Sequence, residues 1–160
     1  MFSHRPLRES DAEEICAFPR SREELFYLFP KASYPLTPDQ LLSAARTRHC
    51  PTVVLADQRI VAYGNFIQAV HGDFCSIGNV IVNPFDRRKG AATYLIKHMI
   101  DLALGDFQAS HVRISCFNNN VAGLLLYHKL GFKPFEMEMR RNPRGEPLVL
   151  IHMNLDFEAS

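Results

Sequence analysis

The chain has almost no net charge: 18 basic side chains stand against 17 acidic ones. No broad basic field is present, so neither a nucleic acid nor an anionic membrane is expected as a partner. The four cysteines, at positions 16, 50, 75 and 116, form no Cys-x-x-Cys pair and no metal-ligand spacing. They predict no metal centre; Cys75 and Cys116 lie in apolar runs and read as small core residues. The N-terminus lacks an apolar signal region, and no run approaches 18 apolar residues. A reducing, cytoplasmic location is the expectation. No repeat, linker or low-complexity segment divides the chain. Neither Gly-x-x-x-x-Gly-Lys-Ser/Thr nor Gly-x-Gly-x-x-Gly occurs, which argues against the common nucleotide-binding loops. What is present is 160 residues, 47% hydrophobic and 22% charged: one domain over 1–160, long enough for its own core.

In chain order, Phe2 to Arg5 reads as an edge strand. Ser10-Asp-Ala-Glu13 and Ser21-Arg-Glu-Glu24 are capping-box patterns, each predicting a helix. Thr37-Pro38 starts a third, with proline at its first position. The aromatic segment from Phe18 to Tyr34 (Phe18, Phe26, Tyr27, Phe29, Tyr34) serves either as core or as a pocket wall. Residues 52–57 and 59–70 read as strands joined at Asp57-Gln58. Phe74 to Val82 is the central strand, and Gly78 within it marks a bulge or a close backbone approach. Ser110 to Phe117 is a fifth strand, and a helix then runs to Gly131. Phe132 to Met139 and Leu148 to Leu155 form a closing hairpin. This order predicts a mixed α/β (α+β) sheet of six to seven mostly antiparallel strands, flanked by about four helices.

The stretch from Val80 to Leu104 carries the chemistry. Pro84 stops the strand Val80-Ile81-Val82, because it offers no ladder N–H. Arg87, Arg88 and Lys89 follow, and Gly90 leads into a helix. That helix has apolar residues at 91, 92, 95, 96, 99, 100 and 103, one buried face, with Gly105 as an expected left-handed stop. A helix start leaves N–H groups without partners and carries about half a positive charge. Gly90, Ala91 and Ala92 present little side chain there, so a phosphate can approach the backbone.

A second stretch, from Asn120 to Phe132, reads Asn-Val-Ala-Gly-Leu-Leu-Leu-Tyr-His-Lys-Leu-Gly-Phe. Together with Arg87-Arg88-Lys89-Gly90-Ala91-Ala92, it closely resembles the GCN5-related N-acetyltransferase (GNAT) superfamily. The first motif of that family is Gln/Arg-x-x-Gly-x-Gly/Ala; the second is Asn-x-x-Ala-x-x-Leu-Tyr-x-Lys-x-Gly-Phe, here with Gly123 in place of the usual alanine. The resemblance is firm over about residues 74 to 135. It implies a sheet whose two central strands splay apart around a cofactor arm, and acetyl-CoA as the acyl donor.

By that resemblance, backbone amides from Arg88 through Thr93 hold the pyrophosphate and Arg87 opens the loop. Val80, Ile81 and Val82 pair with the pantetheine amides, and Asn120 contacts the cofactor. Tyr127 is the implied general acid for the departing thiolate; a phenol near ~10 and a thiol near ~8.5 exchange protons readily. Some family members carry a glutamate base on the fourth or fifth strand, but neither strand has an acid here. Asp73, His71, His111 and His152 remain as candidates for a base acting through water.

Neutralising a lysine-like amine at pH 7 costs roughly 4.6 kcal/mol, against about 1 kcal/mol for an α-amine. A low-pKa primary amine is therefore the easier acceptor, while antibiotic, polyamine, amino acid and protein amines all stay open. The implied activity is transfer of an acetyl group to such an amine by direct attack on the thioester. The competing expectation is a non-catalytic acyl-CoA-binding module on the same fold. Monomer and homodimer are both compatible with the sequence.

Overall fold

The computed structural model describes residues 1–157. Seven strands form one sheet in the order β1-β2-β3-β4-β5-β7-β6. They are β1 (Phe2–Pro6), β2 (His49–Ala56), β3 (Arg59–Ala69), β4 (Phe74–Val82), β5 (His111–Phe117), β6 (Lys133–Arg141) and β7 (Pro147–Asp156). Five helices accompany them: α1 (Ala12–Cys16), α2 (Arg22–Leu28), α3 (Pro38–Thr47), α4 (Ala91–Gly105) and α5 (Val121–Lys129). Every strand pair is antiparallel except β4 with β5. That exception follows from connectivity, since α4 carries the chain from the end of β4 back to the start of β5.

The sheet separates two apolar layers. On one face, α4 packs Leu95, Ile96 and Met99 against Phe66, Ile77 and Ile114. On the other, Leu25, Leu41 and Ile15 from the first three helices cover Val53, Tyr63 and Ile81. The aromatic segment divides between the two roles open to it. Phe18 and Phe29 are buried in the second layer. Phe26 stacks on Phe117 with ring centroids 4.8 Å apart, and Tyr27 borders a cleft.

The hairpin turn at Asp57-Gln58 has both residues at positive φ, 50° and 75°, as the right-handed twist of two flanking strands requires. Ser21 and Thr37 cap α2 and α3 by accepting from Glu24 N and Gln40 N. Two local expectations are corrected. The first helix does not start on Ser10. Arg5 donates to both carboxylate oxygens of Asp11, at 2.7 and 2.9 Å, and the fixed carboxylate accepts from Arg8 N at 2.8 Å. That anchor pulls residues Glu9–Asp11 into a 3-10 turn before α1 begins. Gly105 is not the left-handed stop either. It is the last residue of α4, and Gln108 takes the positive φ, 50°. Phe107 N reaches Leu102 O at 3.3 Å, a six-to-one closure, and Ala109 N reaches Ala103 O at 2.9 Å, so orphan carbonyls of the last turn are satisfied.

Gly78 meets both of its alternatives. Asn65 pairs with Gly78 and Tyr63 with Ile81, so Gly64 alone opposes Asn79 and Val80. This is a bulge, with Asn79 at φ 52°. A Cβ on Gly78 would also lie 2.2 Å from Ile67 Cδ1, so the backbone approach is close as well. Just before the bulge, β4 and β5 part. Their pairing runs from Phe74 with His111 to Ile77 with Ile114 and then stops.

Candidate functional site

The turn after β4 is built from the buried side outward. Asn83 caps it by accepting from Phe85 N at 3.1 Å. Asp86, 3% exposed, is gripped by Arg59 at 2.6 and 2.7 Å. The guanidinium hydrogen bonds hold the Asp86 carboxyl below its usual range. Arg88 (φ 65°) and Gly90 (φ 94°) are left-handed, the kind of backbone that gathers successive N–H groups into an anion-sized hollow. Among the described residues, no N–H from Arg87 to Thr93 has an intrachain acceptor. These donors fit a diphosphate: they are several, adjacent, unpaired, and set at the positive end of α4.

The three cations differ. Arg87 is paired with Glu24 of α2 at 2.6 Å. Lys89 lies 4.0 Å from Asp86. Arg88 meets no carboxylate among the described residues, so its charge alone is free for a ligand.

A cleft of about 520 Å³ opens from this loop into the gap between β4 and β5. Val80, Val82, Arg87, Arg88, Gly90, Ala91, Ala92, Thr93, Asn120 and Tyr127 all border it; Ile81 and Lys89 do not. Ile81 is turned away for a reason of register. Asn83 N donates to Val61 O at 2.8 Å, and Ile81 opposes Tyr63 two residues back. Bonded pairs alternate in an antiparallel ladder, so the Ile81 backbone is spent on β3 while its side chain fills the second core layer. The amides of Val80 and Val82 therefore point the other way, into the gap that β5 has left.

Asn120 caps α5, accepting from Gly123 N at 3.1 Å. Its Nδ2 stays close to Gly123, where an added Cβ would lie 2.8 Å from it. Tyr127, one turn further along α5, is 8% exposed. Its hydroxyl makes no hydrogen bond among the described residues, yet it is not among the polar atoms sealed from solvent. The hydroxyl thus has access to the cleft. Burial pushes the phenol well above its ordinary value, with the nearby Cys116 thiol adding to the shift; Cys116 itself is pushed up to about 12. Tyr127 is a protonated donor throughout the physiological range.

Across the cleft, α2 contributes Glu24, Tyr27 and Leu28, and Asn119 Nδ2 donates to Tyr27 Oη at 2.6 Å. Glu24 was readable in the sequence only as a helix-start residue; its pairing with Arg87 joins elements distant in the chain and has no local signal.

The candidate bases separate by position. His71 and Asp73 lie in the β3–β4 turn, and His111 starts β5, stacked on Phe74. From Phe74 to Val80 the strand rises about 20 Å, so these three stand at the far end of the sheet. His152 does not. It opposes Ser115 on β5, one residue beyond the last β4–β5 pair.

The profile of the Acetyltransferase (GNAT) family matches residues 13–132. The chain belongs to this family. Among curated relatives, mouse cysteine-rich protein 2-binding protein is 39% identical over 84 residues, and the human protein 38%. Each match spans 52% of this chain but only 10% of the relative. Solved GNAT structures superpose along the whole chain. The ribosomal-protein-S18-alanine N-acetyltransferase of Escherichia coli gives a TM-score of 0.75 at 19% identity, covering 100% of this chain and 96% of its own. A putative acetyltransferase from Salmonella typhimurium, solved with its cofactor acetyl-CoA, gives 0.78 at 18% identity, covering 99% and 95%. At these identities the likeness speaks for the GNAT fold, with its mixed, largely antiparallel sheet.

Proposed function

We propose that the protein is an acetyl-CoA-dependent N-acetyltransferase acting on a primary amine, with Tyr127 as the general acid. The observation that carries this reading is one cleft with three unspent resources: the free N–H groups of the Arg87–Thr93 turn, the unpaired Val80 and Val82 edge, and the partnerless Tyr127 hydroxyl. Bound there, acetyl-CoA supplies an activated acyl carbon and a thiolate leaving group.

The chain's residues then have distinct tasks. The turn amides, from Arg88 through Thr93, hold the diphosphate, with Arg88 adding the free charge and Arg87 fixed by Glu24 at the mouth. Val80 and Val82 hold the extended arm as an added strand would be held, and an amide of this edge is placed to polarise the acyl carbonyl. Asn120 borders the arm from α5. Tyr127 gives its proton to the departing sulfur. Positioning two reactants in one cleft supplies a large part of the rate.

The acceptor is a small-molecule or protein amine. Titration calorimetry with coenzyme A, followed by thiol release over a panel of amines, tests the reading. Micromolar binding with turnover on at least one amine is the expected result. Binding with no turnover on any acceptor would favour an acyl-CoA-binding module, and absence of binding would overturn the assignment.

A further inference from the structure

On the face of the sheet opposite Tyr127 lies a second cavity of about 290 Å³, bordered by Ser76, Arg113, Ser115, Glu136 and His152. Ser115 stands one residue past the last β4–β5 pair, where the two strands that flank the donor gap begin to separate. Ser115 Oγ lies 2.7 Å from His152 Nδ1. On the other side of the ring, His152 Nε2 lies 3.6 Å from a carboxylate oxygen of Glu138, which is also held by Arg140. With the ring proton on Nε2, the side of the carboxylate, Nδ1 is free to accept from the serine hydroxyl.

From this juxtaposition we propose that Ser115 and His152 take the proton from the acceptor amine, with Glu138 as the residue that positions the imidazole and balances its charge. This rests on the acetyltransferase reading and supplies what β4 and β5 lack, a base on the acceptor side. The proton balance is simple. The nitrogen lone pair becomes the new N–C bond, and the electron pair of the C–S bond leaves with sulfur. One N–H proton passes to Ser115 Oγ as that oxygen's own proton moves to His152 Nδ1. The imidazolium discharges to solvent, and Tyr127 protonates the sulfur from the other face and is reprotonated from solvent. The carboxylate opposite the ring keeps the imidazole oriented and stabilises its cation, as in serine–histidine–acid constellations on unrelated folds.

The same cavity indicates what else the amine carries. The Arg113 guanidinium sits 4.2 Å from the Phe74 ring centre and 5.4 Å from that of Phe135. Its Nε is sealed from solvent, but its two terminal nitrogens are not and make no hydrogen bond among the described residues, and no carboxylate bridges to them there. A carboxylate or phosphate on the acceptor would satisfy this fork. Amines bearing such a group are the class the cavity suits.

The test uses the full chain and His152→Gln, Ser115→Ala, Glu138→Gln and Arg113→Met. Coenzyme A affinity should stay within twofold in all four, because none borders the donor cleft. His152→Gln should lower kcat/KM by about 10²-fold or more and abolish the acidic limb of its pH profile. Glu138→Gln should move that limb to lower pH, since loss of the anion favours the neutral ring; the charges facing the ring are Arg113, Glu136, Glu138 and Arg140. Arg113→Met should raise KM for a carboxylate-bearing amine and leave its methyl ester unaffected.

A limb that survives in His152→Gln, or a rate within twofold of the parent, would overturn the proton assignment alone. Equal use of acid and ester by the unaltered protein would overturn the substrate class. A parent protein that binds coenzyme A but releases no thiol with any amine would remove the underlying reading, and the base with it.

Discussion

Arg59 donates to both carboxylate oxygens of Asp86, at 2.6 and 2.7 Å, and so ties the start of β3 to the turn that leads into α4. The carboxylate is 3% exposed and sits one residue before Arg87. The turn is therefore shaped by a buried acid that borders the cleft while its carboxylate is held by Arg59.

Asp86→Asn should lower the thermal midpoint and weaken coenzyme A at pH 7. The sign with pH follows from the depressed carboxyl. Asp86 is ionised in both folded and unfolded chains above about pH 4, where its contribution is complete. As pH falls through the depressed folded value, the parent loses that contribution and the two proteins converge. Melting curves from pH 7 to pH 3 check this; a midpoint difference that stayed constant to pH 3 would separate stability from the Asp86 charge.

At Gly90, φ is 94°, and an added Cβ would meet only Phe2 at 3.5 Å. Space is therefore not the constraint; backbone conformation and charge are. Gly90→Glu combines a left-handed cost of about 1–2 kcal/mol with an anion at the phosphate site, and should abolish coenzyme A binding. Gly90→Asn, which tolerates the left-handed region, should retain most of it. Calorimetric titration of the pair distinguishes an anion hollow from an ordinary helix start.

Tyr127→Phe should lower kcat by about 10²–10⁴-fold and change coenzyme A affinity by less than twofold. Because the hydroxyl bonds to nothing among the described residues, its removal leaves no buried group unpaired, and the melting point should hold. The raised phenol also keeps activity from falling at the ordinary tyrosine value, so the alkaline limb of the parent should lie above about pH 10. Unchanged kcat in Tyr127→Phe would take the residue out of the reaction.

Much of this site could be read along the chain, because its parts obey local rules. Val80 to Val82 end a strand at Pro84, Gly90 begins a helix, and Asn120 caps the next; each is a short-range signal of periodicity or capping. What could not be read depends on strand register or on pairs distant in sequence. The bulge at Asn79 decides which β4 amides face the gap, and so puts Ile81 on the wrong side while leaving Val80 and Val82 free. Glu24 meets Arg87 across 63 residues, and His152 meets Ser115 across 37. Gly105 misled because glycine is also tolerated inside a helix; the actual stop, Gln108, has no signature for a left-handed turn.

Gly123 is the position where the second motif departs from the family's usual alanine, and the structure gives a reason. A Cβ there would lie 2.8 Å from Asn120 Nδ2, 3.0 Å from Asn120 Cγ and 3.0 Å from Cys116 Sγ. Asn120 cannot retreat freely, because its Oδ1 accepts from Gly123 N; Cys116 cannot either, being a 4%-exposed strand residue. Alanine in a helix is favoured over glycine by up to about 1 kcal/mol, whereas loss of an Asn cap costs about 1 kcal/mol and the buried overlap adds about 1–3 kcal/mol. The balance favours glycine. Gly123→Ala should therefore lower stability, where propensity alone predicts a gain, and should weaken coenzyme A through a displaced Asn120. The double variant Cys116→Ala with Gly123→Ala opens room on the sulfur side and should recover part of both losses. Chemical denaturation of the three proteins checks the order; a single Gly123→Ala more stable than the parent would show that α5 can slide away from β5, and that Asn120 is not held where the cleft needs it.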